Sequence, residues 1–209
     1  MLEDVSLDIH PGELVAIVGG SGAGKTTLLQ ALSGVRPADA GDVWFDGVSV
    51  YEHLDSFRST LGYVPQDDII HAELPLERTL QYAARLRLNA GATAPEVDSA
   101  VERVLPQLGL GERADVPVRA LSGGQRKRAS IAVELLTSPR VFFLDEPTSG
   151  LDPATSAELV RLLQTLAAGG ATVVFTTHSV QDLGYCGRVI FLASGGRVAH
   201  VGSVDEALR

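Results

Sequence analysis

Apolar Leu2, Val5, Leu7 and Ile9 are spaced by polar residues, which predicts a half-buried strand over the first nine residues, before the turn chemistry of His10-Pro11-Gly12-Glu13. The run Leu14 to Val18 is continuously apolar. It passes through a glycine-rich stretch into the helix-like Thr27-Leu28-Leu29-Gln30-Ala31-Leu32, giving strand, loop and helix in succession. Val43-Trp44-Phe45, closed by Asp46-Gly47, is a hairpin signal and predicts a small antiparallel sheet. Leu61 to Pro65 is a short apolar strand that ends at Gln66-Asp67-Asp68.

The pattern then becomes helical. Leu76, Leu80, Ala83, Ala84 and Leu88 fall on one stripe of a helix between Leu74 and Leu88, with Pro75 suited to its first turn. Thr93-Ala94-Pro95-Glu96 reads as a capping box that opens a second helix through Val97, Val101, Val104 and Leu108. After the Gly-, Pro- and charge-rich loop Gly109 to Val118, a third helix starts at Ser122 and runs to about Leu136. Residues 67–138 are thus expected to form a helical subdomain inserted in an α/β core made of residues 1–66 and 139–209.

Val141-Phe142-Phe143-Leu144 is apolar throughout, as a strand buried on both faces should be, and it ends in Asp145-Glu146. A helix follows from Asp152-Pro153 to about Ala168, then a buried strand from Ala171 to Thr176, closed by Thr177-His178-Ser179. Arg188 to Ala193 and Arg197 to Val201 make a final hairpin. Strands alternating with helices predict an α/β fold whose mostly parallel sheet is covered on both faces.

Composition narrows the function. A chain of 209 residues suits one domain, or one domain with a subdomain. Its net charge of −9, with Lys25 and Lys127 as the only lysines, argues against nucleic acid as the main partner, because phosphate-backbone binding needs a broad basic surface. A single cysteine, Cys186, excludes an internal disulfide, and no signal segment opens the chain, so a reducing, cytoplasmic setting is expected. No apolar run reaches the ~20 residues needed to span a bilayer as a helix.

The glycine-rich stretch is Gly19-Gly20-Ser21-Gly22-Ala23-Gly24-Lys25-Thr26, followed by Thr27. Glycines let consecutive backbone N–H groups converge on phosphate oxygens, and the helix N-terminus behind them favours negative charge. In the P-loop pattern Lys25 reaches the β- and γ-phosphates of a nucleotide and Thr26 offers its hydroxyl to Mg²⁺. Asp145 and Glu146, at the carboxyl end of a buried strand, suit the same metal–phosphate site. Asp145 would hold Mg²⁺ through water and Glu146 would polarise the attacking water.

Ser122-Gly123-Gly124-Gln125 has a plain reading as a capping box. Two glycines, however, weaken a helix start by ~1 kcal/mol each, and Arg126-Lys127-Arg128 opposes the helix dipole. The stretch therefore reads also as a second phosphate-binding helix end, so that the chain carries two half-sites for one nucleotide.

Leu121 to Gln125 (LSGGQ), taken with GGSGAGKT, VFFLDE, Ser149-Gly150-Leu151-Asp152 and His178, resembles the nucleotide-binding cassette of the ATP-binding cassette (ABC) superfamily over almost the whole chain. The resemblance implies a P-loop NTPase core that binds ATP and Mg²⁺ and hydrolyses ATP. Gln66 would correspond to the glutamine that touches Mg²⁺ and relays to the membrane partner, and His178 to the histidine on the γ-phosphate. Cassettes of the family close head-to-tail, so Ser122 and Gly124 would serve the ATP held by a second copy or a closely related cassette. Tyr63 to Asp68, Leu86-Arg87-Leu88, and Gln125 to Ala132 with Glu134-Leu135-Leu136 further resemble the G-type (White-like) branch. That branch implies an exporter with transmembrane domains on the same polypeptide, working at the cytoplasmic face of the membrane, of which this chain would be an excised part. The family's adenine-stacking aromatic has no counterpart ahead of Leu2, which leaves base stacking without an assigned residue. Two alternatives stand beside the transporter reading: a soluble ABC-type ATPase of DNA repair or translation, and a small-molecule P-loop kinase, which would leave LSGGQ unexplained.

Overall fold

The structure is a computed structural model describing residues 2–67, 70–88 and 91–207. Met1, and Asp68 at the end of the expected Tyr63–Asp68 stretch, lie outside them. Along the chain come β1 (Leu14–Gly19), α1 (Lys25–Leu32), β2 (Trp44–Phe45), β3 (Val48–Ser49), α2 (Leu54–Phe57), β4 (Leu61–Val64), α3 (Leu76–Arg87) and α4 (Ala94–Gln107). There follow α5 (Gly123–Leu135), β5 (Val141–Leu144), α6 (Pro153–Ala168), β6 (Thr172–Thr177), α7 (Val180–Leu183), β7 (Arg188–Leu192), β8 (Val198–Gly202) and α8 (Val204–Ala207).

The larger sheet has the order β4-β5-β6-β1-β7-β8. Its first five strands run parallel and β8 turns back antiparallel on β7. The small β2–β3 ribbon is antiparallel. Side chains alternate across each strand and so divide the core in two. Ala16, Val18, Phe142, Leu144, Val173 and Phe175 face one side, where they join the apolar stripes of α3, α4, α5 and α6. Val15, Ile17, Val141, Phe143, Val174 and Ile190 face the other, against Leu28 and Leu29 of α1.

Local chemistry sets the helix boundaries. Thr93 and Glu96 form the expected capping box at α4. Asp152 caps α6 by accepting from the N–H groups of Ala154 and Thr155, both at 3.1 Å, with Pro153 in the first turn. α3 begins after Pro75, and the chain around it is tied to Val116 and Val118 by backbone hydrogen bonds.

One expectation fails. The first nine residues alternate as a strand would, yet among the described residues 2–9 no strand forms. Leu2, Val5, Leu7 and Ile9 do turn the same way and pack, partly buried, against the α1 side of the core. What they lack is a ladder: Glu3 N–H donates to Gly196 at 3.1 Å, and Asp8 offers its carbonyl to the Arg188 side chain instead of a neighbouring strand. The short helices α2, α7 and α8 have too few residues for a periodic signal, and the sequence did not reveal them. Among the described residues no helix is long and apolar enough to cross a membrane.

Candidate functional site

Three adjacent parallel strands, β5, β6 and β1, end at one edge of the sheet, with Val18 of β1 opposite Thr177 of β6 and Leu144 of β5 opposite Phe175. That edge is where ligands sit in open α/β sheets, and the fold delivers the candidate residues to it together. Ser21 to Thr27, Glu146 and His178 line a cavity of about 450 Å³.

The loop between β1 and α1 is shaped by its glycines. Gly22 and Gly24 adopt φ of 76° and 99°, a left-handed region that side chains disfavour. α1 begins at Gly24 with no side-chain cap, an arrangement that leaves first-turn N–H groups able to receive an anion. Lys25, only 7% exposed, folds back over the loop. Its Nζ donates to the carbonyls of Gly19 and Gly20 at 3.0 and 3.3 Å and lies 3.6 Å from Glu146 Oε1.

Asp145 is 3% exposed, and its Oδ1 accepts from the hydroxyls of Thr26 at 3.0 Å and Thr176 at 2.7 Å. Thr176 also accepts the N–H of Glu146 at 2.8 Å, so one hydroxyl fixes two consecutive acidic residues. Glu146 has φ of 43°, left-handed for a residue with a side chain. Its Oε2 lies 3.5 Å from Nδ1 of His178, whose ring is 65% exposed. Glu146 thus stands between the lysine and the histidine.

Ser122 to Gln125 are not in the cavity lining. The capping box forms as read: Ser122 Oγ accepts from Gln125 N at 3.3 Å, and Gln125 Oε1 accepts from Ser122 N at 3.0 Å. Two details give that stretch structural roles beside the expected one. A Cβ on Gly124 would collide with Thr155 Cγ2 of α6, so close helix packing gives that glycine a structural reason as well. The basic run is also engaged within the chain: Arg126 donates to the Leu121 carbonyl at 2.7 Å, Lys127 to the Gln66 carbonyl at 2.7 Å, and Arg128 pairs with Glu158 at 2.7 Å. Ser122 and Gly123 are exposed at the helix start. Gln66 is exposed too, and its backbone carbonyl accepts the Lys127 bond.

Sequence reading missed the threonines that bind the site together. Thr148 and Thr177 donate to Asp182, a carboxylate buried beside the site. Burial and the Asp182 charge push the nearby Cys186 thiol up to about 12, which disfavours its thiolate form. Burial also raises the Tyr63 hydroxyl, against a hydrogen bond with Gln30 that lowers it, and the Asp145 charge adds to the rise.

The family model described as ABC transporter matches residues 2–149. The chain belongs to the ABC transporter family. It is 45% identical to the ABC transporter ATP-binding/permease protein Rv1747 of Mycobacterium tuberculosis, over 97% of this chain and 23% of that protein. It is 38% identical to ABC transporter G family member 28 of Arabidopsis thaliana, over 99% of this chain and 19% of that one. The chain therefore spans about a fifth to a quarter of the length of these relatives. Among solved structures it resembles cbiO1 of Clostridium perfringens, part of the ABC transporter complex cbiONQ, with a TM-score of 0.90 and 31% identity over 99% of this chain and 83% of that one. It also resembles the ATP-binding cassette MJ0796, solved as a dimer in a post-hydrolysis state with ADP and Pi, with a TM-score of 0.84 and 28% identity over 97% and 90% of the two chains. The molecule is a nucleotide-binding domain of the ABC ATPase type.

Proposed function

We propose that this cassette is the ATP-hydrolysing motor of a transporter, an exporter of the G-type branch, working in pairs beneath transmembrane domains at the cytoplasmic face. The observation that carries the reading is the placement of Glu146 between Lys25 and His178 at the mouth of the P-loop. In this scheme the N–H groups of residues 20–27 and Lys25 hold the β- and γ-phosphates. Glu146 accepts the proton of the water that attacks the γ-phosphorus, and the bond to the β–γ bridging oxygen breaks to release ADP. His178 contacts the γ-phosphate, and Gln66 reports its state to the membrane partner.

The donor set fits Mg²⁺: a hydroxyl and a carboxylate side by side, Thr26 and Asp145, are the hard oxygen ligands that ion takes, with Gln66 as a further oxygen. Bound Mg²⁺ would neutralise charge building on the phosphates. Ser122, Gly123, Gly124 and Gln125 complete the site of the partner cassette, which is why they stand apart from the cavity of their own chain. Residues 67–138 act as the helical subdomain that passes closure to the membrane domains. The relatives named as transporter proteins and the dimeric state of MJ0796 support this over a soluble ATPase.

Glu146→Gln tests it. The variant should bind Mg-ATP at least as well as the parent, since Lys25 loses a competing carboxylate, while turnover falls by about 100-fold or more. With ATP the variant should shift toward dimer in sedimentation, and parental specific activity should rise with protein concentration. Near-normal turnover would remove Glu146 from the chemistry.

A further inference from the structure

We infer that Asp182 is the positioning residue that holds Glu146 and His178 in mutual register, an inference that rests on the hydrolytic reading of that pair. Asp182 sits in α7 and is 3% exposed. A carboxylate is buried without destabilising the fold only when donors surround it, and here the donors are hydroxyls from three different segments. Thr148 Oγ1 donates to Oδ2 at 2.8 Å, Thr177 Oγ1 to the same oxygen at 2.7 Å, and Ser156 Oγ to Oδ1 at 3.4 Å.

The identity of those segments gives the carboxylate its role. Thr148 lies two residues beyond Glu146, in a turn closed by the Ser149 N–H donating to the Glu146 carbonyl at 3.0 Å. Thr177 directly precedes His178, and its hydroxyl also accepts the N–H of Ser179 at 3.0 Å, so both backbone flanks of the histidine are fixed by one side chain. Oδ2 of Asp182 therefore joins the loop carrying Glu146 to the loop carrying His178. The His178 ring is mostly exposed and has little packing to orient it. Its 3.5 Å approach to Glu146 must come from the backbone, and Asp182 sets that backbone. The alternation of strand side chains completes the device: Thr176 turns toward Asp145 and Glu146, while Thr177 turns the other way, toward Asp182.

The test is steady-state ATP hydrolysis with nucleotide binding and thermal unfolding for Asp182→Asn, Thr148→Val, Thr177→Val and Ser156→Ala. Asp182→Asn should lower kcat about 10-fold with KM within about twofold, the size seen when supporting hydrogen bonds around a site are lost. Thr148→Val and Thr177→Val should each lower kcat several-fold, and neither should add fully to Asp182→Asn. Ser156→Ala touches the same carboxylate from α6, away from both loops, and should lower the melting temperature while leaving kcat unchanged. Should Asp182→Asn fail to fold, the two valine variants decide the matter alone. The inference is overturned if all the variants lower the melting temperature with kcat intact, or if Ser156→Ala slows turnover as much as Thr148→Val. Glu146→Gln and His178→Ala measured alongside separate the two levels. If both stop hydrolysis while the Asp182 series is silent, only the positioning role is wrong. If both still turn over, the hydrolytic reading falls and takes this inference with it.

Discussion

The two helix starts that the sequence marks for phosphate, at Gly24 and at Ser122, are built in opposite ways. α1 begins with no side-chain cap, and its loop is held by long-range contacts: Lys25 on Gly19, Gly20 and Glu146, and Thr26 on Asp145, 119 residues away. α5 begins with a complete local cap made by Ser122 and Gln125, and its glycine is fitted to Thr155. The first forgoes a cap at the expense of local helix stability, as the proposed phosphate half-site requires. The second is locally satisfied and, in the proposed pairing, is kept from fraying until a partner arrives.

The sharpest break of this contrast is Lys25→Ala. It removes a charge-assisted phosphate contact, typically ~1.5–3 kcal/mol, and should weaken ATP binding by roughly 10- to 150-fold by calorimetry. Unchanged affinity would leave the open half-site without its ligand. At the other helix start the expected effects are on packing. Gly124→Ala pushes a methyl into Thr155 and should destabilise the fold by ~1–3 kcal/mol in urea titration. Adding Thr155→Ser, which deletes the struck methyl, should restore much of that loss. Ser122→Asp is the smallest and most discriminating change, because Asp caps a helix about as well as Ser and stability should stay within ~0.5 kcal/mol. The added charge should nevertheless repel a partner's nucleotide, so the concentration-dependent part of ATPase activity should drop while Mg-ATP binding by the monomer does not. Full activity in Ser122→Asp would confine Ser122 to its cap.

What was legible in the sequence follows the same division. Leu14 to Leu32 encodes strand, loop and helix within nineteen consecutive residues, and Thr93 with Glu96 encodes a helix start in four. Such local signals survive folding because local partners satisfy them. The strand expected from Leu2 to Ile9 failed because alternation reports which face is buried and says nothing of whether a neighbouring ladder is free. The packing role of Gly124 was not legible because its Thr155 neighbour is 31 positions away, and Asp182 was overlooked because its donors come from Thr148, Ser156 and Thr177. Its meaning exists only once β5 and β6 lie side by side.

The left-handed backbone at Glu146 sets fold and chemistry against each other. A residue with a side chain in that conformation costs on the order of 1 kcal/mol that glycine would not. Glu146→Gly should thus relax the chain while erasing the carboxylate. A screen of this cassette for thermal stability alone would drift toward glycine or asparagine there, and its most stable descendants would be nucleotide binders that no longer turn over.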